Sequence, residues 1–122
     1  MSALSLEPGQ GADAATLAVS PEELPAASVV SGHPTAATLP LATIGSGSAA
    51  GVEVGIWEMT PGTATDTEAD EIFVVISGRA VVRFLSPELP DLEIGPGSIV
   101  RLAEGMQTEW TVTETLRKVY VA

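Results

Sequence analysis

The chain has 122 residues, which is enough for one domain with a modest core. Its formal net charge of −11, from 16 acidic and 5 basic residues, argues against nucleic acid and anionic membranes as partners, because both would repel it. The absence of cysteine excludes disulfides, thiolate metal sites and cysteine nucleophiles, and it fits a reducing compartment.

Apolar residues make up 45% of the chain but aromatic residues only 4%, so the core must be built mainly from Val, Ile, Leu and Ala. Abundant Val and Thr, with 12 glycines and 9 prolines, favour strands and turns over helices. No Lys or Arg occurs in residues 1–52, so the basic region of a secretory signal is missing, and no apolar run is long enough to cross a bilayer. We therefore expect a cytoplasmic protein.

We expect residues 1–25 to form a flexible N-terminal arm and residues 26–122 to form a single domain. The first part of the arm is rich in small residues and has no clear period, which is typical of a loosely held segment. Ser-Pro-Glu-Glu at 20–23 has the pattern of a helix start, although Pro25 limits such a helix to a very short one. Between 26 and 44, extended pieces alternate with Gly and Pro, as in edge strands or a wrapping arm.

The next part of the chain alternates between apolar and polar residues, which indicates strands. Residues 52–59 place Ile56 on one face and Trp57 on the other, and we expect Trp57 to pack at an interface or under the arm. Two β-rich runs, 71–76 and 79–84, are separated by a Ser-Gly pair, which predicts a tight hairpin. A two-proline loop is predicted at 86–91, and further strands at 92–94, 98–102, 108–113 and 116–121. This pattern predicts an all-β barrel or sandwich.

Residues 60–108 resemble the cupin superfamily. Its first motif is Gly, five residues, His-x-His, three or four residues, Glu, six residues, Gly. Here Gly62, Glu71 and Gly78 match it, with the last interval as required but the interval from Gly62 to Glu71 about three residues shorter. Gly97 and Gly105 match the second motif. The chain from about residue 26 onwards resembles small single-domain cupins of unassigned function, akin to the ethanolamine-utilisation and ureidoglycine-aminohydrolase cupins. The resemblance implies a double-stranded β-helix, or jelly-roll, barrel that is often dimeric, so we expect a homodimer.

The resemblance also implies a metal site, because metal-binding cupins hold their ion with three His and one Glu. The single His of this chain, His33, lies outside both motifs, in a loop that we expect at the surface. Thr-Asp-Thr at 65–67 replaces His-x-His, and Thr108 replaces the His of the second motif. Of the four ligands, only Glu71 remains. We therefore expect no cofactor, and a divalent metal is disfavoured.

Acidic residues carry two alternative interpretations. Glu71 could act as a general base or hydrogen-bond acceptor beside apolar walls such as Phe73, or it could be a structural acid that is paired with an Arg or solvated. Glu68, Asp70 and Glu71, with Asp66 nearby, could accept a hard cation such as Ca²⁺ or Mg²⁺, or they could form a solvated acidic turn.

Trp110 and Arg101 are the other candidates for contact with a ligand. Trp110 shares a face with Thr108 and could stack on a planar or sugar-like ligand, or it could fill the barrel interior. Arg101 interrupts an apolar strand and could clamp a carboxylate ligand, or it could pair internally with Glu71 or Glu58.

Three functions remain open. The first is metal-free binding of a small polar metabolite in the barrel, with contacts from Glu71, Phe73, Arg101, Thr108 and Trp110. The second is an aminohydrolase- or isomerase-type enzyme that uses Glu71 as general base, with or without a weakly held divalent metal. The third is a structural or interaction module that pairs with another chain through its N-terminal arm.

Overall fold

A computed structural model of the protein describes residues 5–45 and 51–122. The strands are β1 (Glu22–Glu23), β2 (Val29–Ser31), β3 (Thr35–Ile44), β4 (Val52–Met59), β5 (Gly62–Thr67), β6 (Glu71–Ser86), β7 (Glu88–Ile94), β8 (Ile99–Leu102) and β9 (Gln107–Val121). A single 3₁₀ turn, Ala26–Ser28, precedes β2, and within these ranges no helix is long and apolar enough to span a membrane. The expected all-β class is confirmed.

Two long strands, β6 and β9, run antiparallel to each other and organise the sheet. Their pairing extends from Ile72 opposite Val121 to Ser86 opposite Gln107. On the other side of β9, its C-terminal half pairs with β4 and its N-terminal half pairs with β5. Likewise, β8 pairs with the first half of β6 and β7 with the second half. Strands β3 and β1 extend the sheet beyond β4, and β2 extends it beyond β5. The result is the curled double layer of a jelly roll.

The predicted hairpin at Ser77-Gly78 is wrong, because β6 continues through this pair as one strand. Gly78 has a φ of 89°, and a Cβ there would overlap the carbonyl of Thr115 and lie 2.6 Å from the Cα of Leu116. The Ser-Gly pair therefore bends the strand instead of reversing it. The two halves of β6 pair with β9 and not with each other.

Other element boundaries also differ from the prediction. The pattern at 20–23 forms part of a short strand, β1, and not a helix start. The predicted strands at 108–113 and 116–121 are one strand, β9. Most of the predicted loop at 86–91 belongs to β7. Strand β1 pairs with β3 and β9 pairs with β6, so pairing with a separate strand overrides the local signal at 20–23 and 108–121. Residues 88–91 instead pair back onto the end of β6 as a hairpin.

The core lies between the two layers and contains alternate residues of β6 and β9. From β6 it takes Phe73, Val75, Ala80, Val82 and Phe84, and from β9 it takes Trp110, Val112, Leu116 and Tyr120. All five aromatic residues of the chain either belong to this core or, in the case of Trp57, pack against it. The aromatic residues are thus few but concentrated, and several of them reach the cavity described below.

The part of the N-terminal arm around Ala14 and Leu17 lies against the outer face of β4 and β9. Arg117 is only 7% exposed and donates hydrogen bonds to the carbonyls of Ala14 and Leu17, at 2.9 and 2.8 Å. Its Nε lies 2.9 Å from the carboxylate of Glu58. Ile56, on the same face of β4 as Glu58, is completely buried. The arm residues that the structure describes therefore have defined contacts with the barrel.

Candidate functional site

A cavity of about 460 Å³ lies among β4, β5 and β9 at one end of the barrel, and Leu24 and Pro25 belong to its lining. Its walls combine apolar and aromatic side chains with charged ones. The residues on which the argument depends are Glu53, Trp57, Glu68, Glu71, Trp110 and Lys118. Volumes of this size are typical of sites for small molecules.

A buried ion pair forms part of the wall. Lys118 Nζ lies 2.8 Å from a carboxylate oxygen of Glu71, and the two side chains are 6% and 12% exposed. The ammonium also lies 4.1 Å from the ring centroid of Phe73, 4.6 Å from that of Trp57 and 4.9 Å from that of Trp110. The contact between the ammonium and Trp57 follows from the strand register, because Lys118 of β9 is directly opposite Trp57 of β4. A buried ammonium needs such partners, and the aromatic faces add cation–π attraction to the ion pair.

A second carboxylate, that of Glu68, is buried without an ion pair. Glu68 is 7% exposed, and its Oε2 accepts hydrogen bonds from Thr108 Oγ1 at 2.6 Å and from Trp110 Nε1 at 3.0 Å. Oε1 accepts no hydrogen bond from any residue within 5–45 or 51–122. Since no fully buried polar side-chain atom of these ranges lacks a partner, Oε1 is open to solvent.

Burial, and after it the neighbouring negative charge, raises the pKa of two other groups at the cavity. Loss of solvent is the main cause of the raised pKa of Asp66, and the nearby charge of Glu68 raises it further, although the residue as a whole is exposed. Burial also raises the pKa of the Tyr120 hydroxyl, as do its hydrogen bond to Glu53, at 2.6 Å, and the charge of that carboxylate. Both shifts report an environment in which a further negative charge is unfavourable.

The family of EutQ-like cupin domains matches residues 47–120, which is more than half of the chain. The chain belongs to this cupin family. Its fold agrees, since a curled all-β double layer with a cavity at one end is the architecture that a small cupin requires. The resemblance seen in the sequence is therefore confirmed, together with the jelly-roll fold.

Solved structures show the same cupin fold at low identity. A protein of unknown function of the DUF861 family from Pseudomonas syringae pv. tomato is 23% identical, with a TM-score of 0.70, over 89% of this chain and 45% of that chain. The EutQ protein of Clostridium difficile is 20% identical, with a TM-score of 0.57, over 72% of this chain and 67% of that chain. A structure described as DMSP lyases RdDddP and RnDddQII is 19% identical, with a TM-score of 0.56, over 70% of this chain and 46% of that chain.

The cupin thus spans less than half of the Pseudomonas protein, and at these identities the likeness concerns the fold alone. No curated protein matches the chain.

Two of the predicted ligand contacts, Glu71 and Trp110, line the cavity of this cupin. Phe73 is 2% exposed and contacts the ammonium of Lys118 without lining the cavity, so it supports the wall from behind. Thr108 is completely buried and donates to Glu68, which places it one layer back from any ligand. His33 is exposed in a loop, as expected.

The expected internal position of Arg101 is wrong. Its side chain is 61% exposed, and it lies 3.5 Å from the carboxylate of Asp70. In β8 the alternation buries Val100 and Leu102 and leaves Ile99 and Arg101 outside. Arg101 therefore lies on the outer face of an edge strand, where it can neither clamp a ligand in the cavity nor pair with the inner carboxylates.

The three carboxylates of the weak metal alternative do not converge. Glu68 bonds Thr108 and Trp110, while Asp70 pairs with Arg101 and Glu71 pairs with Lys118. Across the part of the chain that the structure describes, no three His, Cys, Asp or Glu residues cluster closely enough to hold a metal ion. A divalent ion at Glu71 would have to displace the ammonium of Lys118. The donors described here therefore do not fit a cupin metal centre.

Sequence reasoning missed Lys118. Trp57, on the face opposite Ile56 as expected, lines the cavity together with Leu24 and Pro25 of the arm. A signal for Lys118 does exist, because it alternates with Leu116 and Tyr120 in an otherwise apolar row of β9. A charged residue in such a row needs a buried partner, and Glu71 provides it.

Proposed function

We propose that this cupin binds a small polar metabolite in its barrel cavity and does so without a resident metal. The observation that carries the proposal is the cavity of about 460 Å³, in which aromatic walls surround a few polar groups, among them the open oxygen of Glu68. Apolar walls with a small number of placed polar groups are what a small-molecule site requires.

The proposal that no metal is needed rests on the surroundings of Glu71. This is the only residue at the ligand positions of the cupin motifs that keeps a metal-binding side chain, and its carboxylate is held by Lys118 at 2.8 Å. The ammonium supplies a positive charge at this carboxylate, so that a metal is not required to neutralise it. Metal analysis of the purified protein tests this point: a stoichiometric ion that is lost in Glu71→Ala would contradict it.

Intrinsic fluorescence provides a direct test of binding, because both tryptophans of the chain, Trp57 and Trp110, line the cavity. Titration with a panel of polar metabolites should shift or quench this emission, and calorimetry should give the same affinity. Glu71→Ala should weaken binding, whereas Arg101→Ala, on the outer surface, should not. A ligand that binds both variants and the wild type equally would place binding outside the cavity.

The buried Lys118–Glu71 pair favours one alternative, an enzyme in which Glu71 is a general base. Folds of this kind also occur in the DMSP lyase structure, although that likeness concerns the fold only. A reaction that disappears in Glu71→Gln and survives chelation would support this alternative. Binding without turnover on a panel of amide and isomerisation substrates would favour the binding function.

A further inference from the structure

We propose that the ligand of the cavity is a small organic cation, such as an alkylammonium or guanidinium compound. This inference rests on the proposed binding function and names its ligand class. Three features of the cavity lead to it: the balance of charge along the wall, the free oxygen of Glu68, and the aromatic faces that already hold one ammonium.

The charge balance along the wall is strongly negative. Four carboxylates line the cavity, those of Glu53, Asp66, Glu68 and Glu71, against the single ammonium of Lys118. The ammonium is bound to Glu71, so this pair is neutral as a unit and the other three carboxylates are left without a cationic partner in the cavity wall. A cavity with walls of one sign concentrates counter-ions of the opposite sign and repels anions.

Glu68 offers the specific contact. The side chain is 7% exposed, and Thr108 and Trp110 hold its Oε2 and so fix the carboxylate in place. Its Oε1 accepts no hydrogen bond within the described ranges. A carboxylate oxygen that is fixed on a largely buried side chain is a strong acceptor for an N⁺–H donor, because charge-assisted hydrogen bonds gain strength where little water competes.

The aromatic walls complete the site. Trp57 and Trp110 lie with ring centroids 5.6 Å apart, and their faces, together with Phe73, surround the Lys118 ammonium at 4.1 to 4.9 Å. The protein thus already stabilises one organic ammonium in this wall. Trp57 is half-buried and lines the cavity, so that part of its ring surface is left for a second cation.

The test is calorimetry and tryptophan fluorescence with charged probes and neutral molecules of similar shape. The pairs are choline with 3,3-dimethylbutan-1-ol, guanidinium with urea, and n-butylammonium with 1-pentanol; butyrate is the anion of similar size. We expect at least one cation to bind about tenfold or more tightly than its neutral partner. We also expect butyrate to bind more weakly than either.

Glu68→Gln removes the charge while it keeps an acceptor for Thr108 and Trp110. Preferential binding of the cation should fall about tenfold in this variant. Glu114→Gln makes the same change of net charge at an exposed residue outside the cavity. The affinity of this variant for the cation should equal that of the wild type. If Glu68→Gln does not fold, as judged by circular dichroism, Asp66→Asn at an exposed position of the wall serves in its place.

Two results would overturn the cation proposal, and they separate it from the binding function. Tighter binding of butyrate or of the neutral molecules than of the cations would overturn the charge assignment and leave the binding function intact. Failure of every probe to bind at millimolar concentration would overturn the cation proposal, and the binding function would then depend on the metabolite panel alone.

Discussion

The buried ion pair between Lys118 and Glu71 is expected to affect the stability of the fold strongly. Lys118→Met would leave the Glu71 carboxylate buried without its partner, and we expect a loss of about 3–5 kcal/mol in the free energy of unfolding. Lys118→Met combined with Glu71→Gln removes both charges and should recover most of that loss. Urea unfolding of the two single variants and the double variant measures the coupling.

The exposed pair Arg79–Glu114 provides the control for this cycle. Its side chains are 66% and 67% exposed, so Arg79→Met should change the free energy of unfolding by less than about 1 kcal/mol. Additive effects of Lys118→Met and Glu71→Gln would show that the buried pair is not coupled.

Asp66 is expected to make stability depend on pH. Its pKa is raised in the folded protein, through loss of solvent first and the charges of Glu68 and Glu71 next, while Lys118 and the Thr67 amide act in the opposite direction. The folded state therefore holds this proton more tightly than the unfolded chain does. Stability from this group is complete below the ordinary pKa of 3.8 and is lost as pH rises through the raised value.

It follows that Asp66→Asn should stabilise the fold at pH 7 and have little effect below pH 3.8. Denaturant unfolding at several pH values measures the difference, with Asp70→Asn, in the turn between β5 and β6, as the control. Under the cation proposal, the same substitution should weaken binding at pH 7. A variant that is less stable at pH 7 than the wild type would contradict the assignment.

The sequence could predict which residues of a strand share a face but not which face turns inward. The alternation correctly placed Glu71 and Phe73 on one face of β6, and Thr108 and Trp110 on one face of β9. Arg101 was expected inside the barrel but lies on the outer face of β8, although the alternation of that strand was predicted correctly. The inward face depends on which distant strand pairs with it, and that information is absent from a local window.

Among the strands, the bend of β6 at Gly78 is the feature most sensitive to a small substitution. Gly78→Ala would force a side chain into the backbone of β9 at a positive φ, and we expect a loss of more than about 3 kcal/mol. Gly97→Ala, at a φ of 90° but with nothing within 4 Å of the added Cβ, should lose only about 1–2 kcal/mol.

Thermal and denaturant unfolding of the two glycine variants would separate the cost of the positive φ from the cost of the close approach to β9. Equal losses would show that the backbone conformation alone determines the cost, and that close approach to β9 contributes nothing.

The same bend explains why strand composition predicted the strands but not their connection. A Ser-Gly pair is typical of both a hairpin and a bend, and only pairing with β9 distinguishes them.

In the whole molecule, the N-terminal arm provides a test of the third function and of the expected homodimer. Deletion of residues 1–19 removes the acceptors Ala14 and Leu17 from Arg117 but keeps β1 and the cavity residues Leu24 and Pro25. We expect a lower unfolding temperature with the cavity intact, because Arg117 then loses two of its partners. Deletion of residues 1–25 should in addition alter ligand affinity.

Light scattering of both truncated proteins and of the whole chain gives their mass in solution. A dimer that becomes monomeric on deletion of 1–19 would assign the arm to the interface between copies. An unchanged mass would reject the interaction module and leave the arm as a cover for the barrel.

The position of β9 has a consequence for biosynthesis. Both layers of the barrel take their central pairing from this strand, which is made after β1 to β8. Among the residues that the structure describes, β4 and β5 have no other link to β6 in the sheet. When the ribosome has released the chain up to β8, strands β4, β5 and β6 are therefore exposed before β9, the partner that they share, has been made. Strand β3 can pair with β4, and β6 with β7 and β8, before β9 exists, but the two layers cannot join until residues 107–121 emerge. We therefore expect folding to be late and the intermediate to be open to aggregation.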